Sequence, residues 1–178
     1  MKAEDLRALQ APLKDRYRQE PRAGQITLRA RGKINEPELA CNVETGRALV
    51  EAGLHPLTGG NGLQVCSGDM LLQALVACAG VTLSSVATAL GVEITDGTVS
   101  AEGDLDFRGT LGVDRATRVG FSGIRLSFDL ESEAPPETIS KVIELTERYC
   151  VVFQTLKNSP RLSVAQSSQS RGVVDPAR

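Results

Sequence analysis

Four cysteines carry most of the chemistry that this 178-residue sequence offers. They are Cys41, Cys66, Cys78 and Cys150, and no two of them are close in the chain. The sequence therefore lacks the CxxC spacing of zinc knuckles and of thioredoxin-type redox sites. The single histidine, His55, excludes His-rich metal centres and relays of two imidazoles. The residue types predict thiol chemistry with no metal and no cofactor.

Two of the cysteines lie on predicted helices that could bring their sulfurs together. Cys78 lies in an uncharged segment, residues 70–92, on a stripe of small side chains, and Cys150 lies on the apolar stripe of a second predicted helix. Two closely crossing helices can bring Cα atoms to the roughly 4.4–6.8 Å that a disulfide requires. A redox pair is one interpretation, and the other is two buried thiols that only pack, as free cysteines commonly do. Cys66 is the rival reactive thiol, because a helix N-terminus lowers the pKa of a nearby cysteine.

The elements that must position these thiols predict an α+β domain with mostly antiparallel sheets and two central buried helices. Alternating apolar residues predict strands, while apolar spacings of three and four predict helices. The predicted order is a charged helix at 2–18, strands at 25–34, 38–43 and 47–51, a glycine-rich loop at 55–62, a helix at 67–91, strands at 99–107 and 124–130, a helix from 135 to 157, and a short strand at 161–165. We divide the chain into a charged arm at 1–22, one domain at 23–165 and a disordered tail at 166–178.

Composition and charge exclude several classes of partner. Aromatic residues make up 3% of the chain and the net charge is −2, which is unlike a nucleic-acid-binding surface. The uncharged segment is long enough for a membrane span, yet polar side chains interrupt it and no basic cytoplasmic signal flanks it. It therefore predicts the buried helix of a core and no membrane partner. The N-terminus has no apolar signal region, so we expect a cytoplasmic protein.

Two segments resemble motifs of the OsmC/Ohr family, the osmotically inducible and organic-hydroperoxide-resistance proteins. Residues 67–83, SGDMLLQALVACAGVTL, resemble the central helix of that family, which ends its Leu-rich and Ala-rich turns in Ala-Cys. Residues 147–156, ERYCVVFQTL, are similar to the family's second motif, Cys-Pro-Val-x-x-x-Leu. The resemblance runs from about residue 25 to 165 with the elements in the same order, and the two motifs stand at the family's separation.

The resemblance implies an intertwined homodimer with two active sites at the subunit interface. Cys78 would be the peroxidatic thiolate, which attacks the O–O bond of an organic hydroperoxide and becomes a sulfenic acid. Cys150 would then form a disulfide with it, and a dithiol reductant, with a lipoyl-type dithiol as one candidate, would reopen that bond. The implied role is oxidative-stress defence.

This sequence departs from the family's pattern around both cysteines. Peroxidases of the family lower the pKa of the thiol with an arginine and with an acidic residue. The acidic residue lies ten positions before the cysteine. This chain has Gly68 at that position, and Asp69 follows it. We expect Asp69 to support the site, and Arg31 and Arg108 are the first candidates for the arginine. The proline that follows the second cysteine in the family is Val151 here.

Two other functions remain open from the sequence. One is a non-catalytic dimer of the same fold that binds a small apolar ligand at the helix interface, which predicts an unreactive Cys78. The other is a cysteine hydrolase that uses Cys78, His55 and Asp69, which requires the His55 loop to fold back onto the helix.

Overall fold

The structure is a computed structural model. It describes the main chain of residues 31–35, 40–44 and 49, residues 50–112 and 114–166 in full, and isolated positions before residue 20. The predicted arm at 1–22 and tail at 166–178 lie outside the described residues, apart from those isolated positions and Gln166. The described elements form an α+β fold, as the sequence predicts.

A four-stranded sheet precedes the central helix. Its strands lie side by side in the order β1-β2-β3-β4, and a short 3₁₀ helix at Pro56–Thr58 joins β3 to β4. The strands are β1 (Arg31–Asn35), β2 (Ala40–Glu44), β3 (Leu49–Gly53) and β4 (Val65–Cys66). The first three pair antiparallel, while β4 pairs parallel to β3, with Ala52 opposite Val65. This short parallel strand leads the chain directly into the helix that carries Cys78.

Helix α1 (Ser67–Leu90) is the longest element, and it carries no charged residue after Asp69 in its first turn. It ends at Gly91, whose φ of 70° is left-handed and favours glycine, and whose N–H bonds the carbonyls of the last turn. Its buried side chains form a single stripe: Leu75, Ala79, Leu83 and Ala87. Within one chain the other faces of α1 are less covered, and Val81 is 70% exposed.

By length and composition alone, α1 could cross a membrane. Its buried stripe instead packs against the sheet that follows and against the next helix, for example on Phe128 and Val142. We therefore describe α1 as the core helix of a soluble fold. Only 22% of its most apolar stretch is buried within the chain, which leaves a large apolar surface on the outside.

The second sheet is one antiparallel pair, β5 (Asp96–Asp104) and β6 (Gly123–Glu131). Its inward side chains, including Val99, Ala101 and Leu126, pack on α1, and its outward side chains are polar. The predicted strand at 99–107 ends earlier than expected, because Asp106 caps a short helix, α2 (Phe107–Thr110), by accepting the Arg108 N–H at 3.0 Å.

Two helices follow where the sequence predicts one. Helix α3 (Pro136–Tyr149) and helix α4 (Val151–Lys157) are separated by Cys150, whose φ of −69° and ψ of 110° are extended. Both pack on α1. The strand predicted at 161–165 is not formed, and this segment has no regular secondary structure.

Candidate functional site

The break between α3 and α4 builds the site from main-chain groups. The Cys150 N–H donates to the carbonyl of Thr146 at 2.9 Å, and the Cys150 carbonyl accepts from the N–H of Gln154 at 2.9 Å. One hydrogen-bond ladder therefore ends at the residue where the next begins. The first N–H groups of α4, on Val151, Val152 and Phe153, have no acceptor within the helix, as at any helix start.

Cys78 lies against this break. Cys150 is fully buried at 0% exposure, and Cys78 packs on it together with Val152 and Phe153. Both cysteines are free thiols. The structure therefore places Cys78 against Cys150, although the second apolar stripe is interrupted at Cys150 itself.

The surroundings shift the pKa values of the two thiols in opposite directions. Burial raises the pKa of Cys78, but hydrogen bonds from the Val152 N–H, the Cys150 thiol and the Val151 N–H outweigh it and lower the pKa overall. Burial raises the pKa of Cys150, and the neighbouring Cys78 raises it further. Cys78 therefore ionises first, and Cys150 remains the proton-bearing donor of the pair.

Sequence reasoning missed the contribution of the main chain at this site. Val151 and Val152 are apolar residues with no side-chain chemistry, and nothing in their types marks their N–H groups as donors to a sulfur. Thr82, one helical turn after Cys78, was also missed; its hydroxyl donates to the Cys78 carbonyl at 2.7 Å. The one available signal was the departure from the family's proline at Val151, which leaves an N–H where proline has none.

The charged residues expected to assist Cys78 lie elsewhere or outside the described side chains. The Arg108 guanidinium pairs with Asp106 at 2.6 Å on an exposed surface. Asp69 is in the first turn of α1 and lines a shallow surface groove with Ala77 and Ala101. The side chain of Arg31 lies outside the described residues, so activation by an arginine stays a prediction. In the part of the chain described, no guanidinium is among the groups that shift the pKa of Cys78.

The remaining candidates lie away from the thiol pair's hydrogen bonds. The His55 ring stacks on Phe107 at a centroid distance of 5.0 Å, and its Nδ1 accepts the Leu57 N–H at 3.1 Å. His55 is not among the described partners of Cys78, which does not favour the hydrolase interpretation. Cys66 is half-buried at the start of α1, and Cys41 pairs with Ala52 through the main chain of β2.

An apolar groove of about 560 Å³ opens between α1, β6 and α4. Its apolar lining includes Leu71, Leu75, Ile124, Leu126 and Phe153. Arg118 and Lys157 also line it. Leu75 and Phe153 belong at the same time to the cluster that holds the two cysteines, so the groove and the thiol pair share a wall. Among the described residues, no cluster of three or more His, Cys, Asp or Glu side chains could hold a metal ion.

Comparisons with known proteins agree with this architecture. The family model described as OsmC-like protein matches residues 59–165. An OsmC-like protein from Mycoplasma pneumoniae superposes with a TM-score of 0.63 at 18% identity, covering 76% of this chain and 90% of that one. An organic hydroperoxide resistance protein OsmC from Legionella pneumophila gives 0.59 at 14% identity, covering 76% and 92%.

The organic hydroperoxide resistance protein OhrB of Bacillus subtilis gives a TM-score of 0.53 at 15% identity, covering 75% of this chain and 93% of that one. A search of curated proteins found no match. The structural likenesses, all at low identity, show a shared fold, while the family model matches more than half of the chain. The chain therefore belongs to the family of OsmC-like proteins.

Proposed function

We propose that this protein is a thiol-dependent peroxidase that reduces organic hydroperoxides through Cys78 and Cys150. The observation that carries the proposal is the contact between these two thiols, with the pKa of Cys78 lowered and that of Cys150 raised. A thiolate is the form that attacks a peroxide, and a protonated partner close by is what a later condensation requires. Membership of a family whose structural neighbours include organic hydroperoxide resistance proteins supports the same reaction.

The proposed cycle has three balanced steps. The Cys78 thiolate attacks the outer oxygen of ROOH, the O–O bond breaks, and the products are Cys78–SOH and RO⁻, which takes a proton to become the alcohol. The Cys150 thiol then displaces the hydroxyl of the sulfenic acid, which forms the Cys78–Cys150 disulfide and releases water. A dithiol reductant exchanges with this disulfide, returning two thiols and leaving as its own cyclic disulfide.

We further propose that the working form is a homodimer that acts in cytoplasmic oxidative-stress defence. The support for a dimer is the apolar surface that one chain leaves uncovered. Val81 on α1 and Val151 on α4 are each 70% exposed, and Tyr149 is 59% exposed. A helix with no charge after its first turn and only one buried stripe has further apolar faces to bury, and a second copy can cover them. Sedimentation at micromolar concentration tests this, and a monomer would contradict it.

The decisive experiment for the peroxidase proposal is peptide mapping after one equivalent of an organic hydroperoxide such as cumene hydroperoxide. We expect one intramolecular Cys78–Cys150 disulfide, with Cys41 and Cys66 still reduced. Cys78→Ser should abolish the reaction, whereas Cys66→Ser, the matched control in the same chain, should react as the wild type does. Modification concentrated on Cys66, with Cys78 and Cys150 still thiols, would overturn the assignment.

The groove between α1, β6 and α4 favours a second candidate function, the binding of a small apolar ligand without thiol chemistry. Its volume of about 560 Å³ and its mostly apolar walls suit such a ligand. This alternative predicts that hydroperoxides leave all four thiols intact. It also predicts that an apolar fluorescent probe binds equally well to wild type and to Cys78→Ser.

A further inference from the structure

Phe121 lines the groove between α1, β6 and α4 and is half-buried there. The chain turns at Gly120, whose φ of 96° is left-handed and favours glycine, shortly before β6 begins. The Phe121 ring lies against the first turn of α1, where a Cβ added to Gly68 would be 3.4 Å from the ring atom Cζ. The ring is therefore at the end of the groove that is nearest the start of α1.

Gly103 on β5 provides the space that this ring occupies. Alternate residues of a strand share a face, so Gly103 lies on the same face as Val99 and Ala101, which pack on α1. A Cβ added to Gly103 would overlap the ring atoms Cδ1 and Cε1 of Phe121. The position of the ring thus depends on a side chain that is missing from the inward face of the sheet.

The groove extends along α1 from the thiol pair towards this ring. Leu75 belongs to the cluster that holds the two cysteines, and Leu71 lines the groove one turn earlier. Gly68, beside the Phe121 ring, precedes Cys78 by ten residues, which is roughly 15 Å of helix at about 1.5 Å per residue. An apolar chain that enters at the thiol end therefore passes two leucines and then meets the ring.

We propose that Phe121, seated on Gly103, is a specificity-determining residue that limits the length of the apolar chain in this groove. The inference deepens the proposed peroxidase function, on which it rests, because it narrows the substrate to straight-chain alkyl hydroperoxides whose chain ends at the ring. Beyond the ring, Gly120 and Ser122 are exposed and carry no apolar side chain. Methylenes that extend past Phe121 return to water and add nothing to the affinity, because apolar groups contribute only where their surface is buried.

The test measures how straight-chain primary alcohols, from butanol to dodecanol, displace an apolar fluorescent probe from the protein. These alcohols are the products of the corresponding hydroperoxides. Each methylene that the groove buries should tighten binding by up to roughly fourfold, and the gain should stop once the chain reaches Phe121. In Phe121→Ala the gain should continue to longer alcohols, while the shorter alcohols should bind as they do to wild type.

Leu105→Ala is the matched control, because Leu105 also contacts the start of α1 beside Gly68 but does not line the groove. It should keep the chain length at which the gain stops in wild type. The proposal is overturned if Phe121→Ala keeps that length too, if Leu105→Ala shifts it equally, or if wild type shows no limit at all.

Gly103→Ala covers the case in which Phe121→Ala fails to fold. Its added methyl group should push the ring towards the groove and move the limit to shorter alcohols, and an unchanged limit would contradict the proposal. The double variant G103A/F121A should lose this effect, because no ring is left to displace. The alcohols contain no O–O bond, so these measurements do not depend on thiol chemistry. Failure of the peroxidase function is detected separately, by peptide mapping after hydroperoxide.

Discussion

Replacing Cys150 by serine and, separately, by alanine tests both parts that this residue plays. Cys150 packs against Cys78 and its thiol helps to lower the pKa of Cys78 by hydrogen bonding, and Cys150 is the proposed partner in the disulfide. Serine keeps a donor at this fully buried position and removes the ability to form the disulfide. Alanine removes both. The break itself should survive either change, because it is held by main-chain hydrogen bonds of Cys150, 2.9 Å on each side.

The expected magnitude follows from the hydrogen bond to the thiolate. A hydrogen bond to a charged group contributes about 1.5–3 kcal/mol, and a thiol is a weak donor, so the lower limit of about 1.5 kcal/mol applies. That loss is roughly a tenfold change in the ionisation constant. Because nucleophilicity rises with basicity by a Brønsted slope of about 0.4–0.5, the first oxidation of Cys150→Ala should slow only about threefold at pH values below the pKa of Cys78 in wild type. Cys150→Ser, whose hydroxyl is at least as good a donor as the thiol, should undergo the first oxidation at about the wild-type rate.

The assay is a single turnover with one equivalent of hydroperoxide, followed by trapping of sulfenic acid and peptide mapping. Both variants should accumulate sulfenic acid on Cys78, and excess hydroperoxide should drive it to the sulfinic acid because no resolving thiol is present. Wild type should show the disulfide instead. The reasoning is refuted if either variant forms a disulfide between Cys78 and another cysteine at the wild-type rate, or if Cys78 remains a thiol in both.

Three further predictions concern the fold around the site. Leu75→Ala changes a side chain that is only 1% exposed and should lower the free energy of unfolding by about 2–5 kcal/mol in urea titrations. The control Leu63→Ala changes a side chain that is 84% exposed and should alter it by less than about 0.5 kcal/mol. Equal effects of the two substitutions would contradict the packing of Leu75. Val81→Glu should yield a folded monomer by sedimentation and circular dichroism, and an unchanged dimer mass would show that this face is not the interface. Arg125 lowers the pKa of Asp104 below its ordinary value of 3.8. Their ion pair therefore stabilises the fold above that pH, and this stabilisation is lost as the pH falls through the lower pKa of the folded state. The difference in unfolding free energy between wild type and Arg125→Ala should shrink below about pH 4, and a pH-independent difference would contradict this prediction.

The sequence predicts the central helix and the strand pair that packs on it, because their patterns are strong and local. The uncharged run from residue 70 predicts α1, and the alternation around Val99 and Leu126 predicts the β5–β6 pair, which the structure contains. The meeting of Cys78 and Cys150 is also predicted, because each lies on an apolar stripe that has to be buried against something.

The break at Cys150 is not predictable from the residues near it. Val151 and Val152 carry neither the ring of proline nor the freedom of glycine, and the apolar spacing continues through Cys150 to Phe153. The interruption lies where α3 and α4 both pack on α1, with Cys78 of α1 against the break, and such tertiary contacts are not readable from the local residues. The incomplete burial of α1 was not predictable either, because the hydropathy of a sequence does not distinguish a helix face covered by the same chain from one covered by another chain.

The large separation of the two thiols along the chain has a consequence for chain entropy. About 70 residues lie between Cys78 and Cys150. A covalent bond between them would close a loop of that size in the unfolded ensemble, which the chain-entropy model values at about 4 kcal/mol near room temperature. The disulfide form of the protein should therefore melt at a higher temperature than the dithiol form. A thermal melt therefore distinguishes the disulfide form from the dithiol form without any measurement of peroxide.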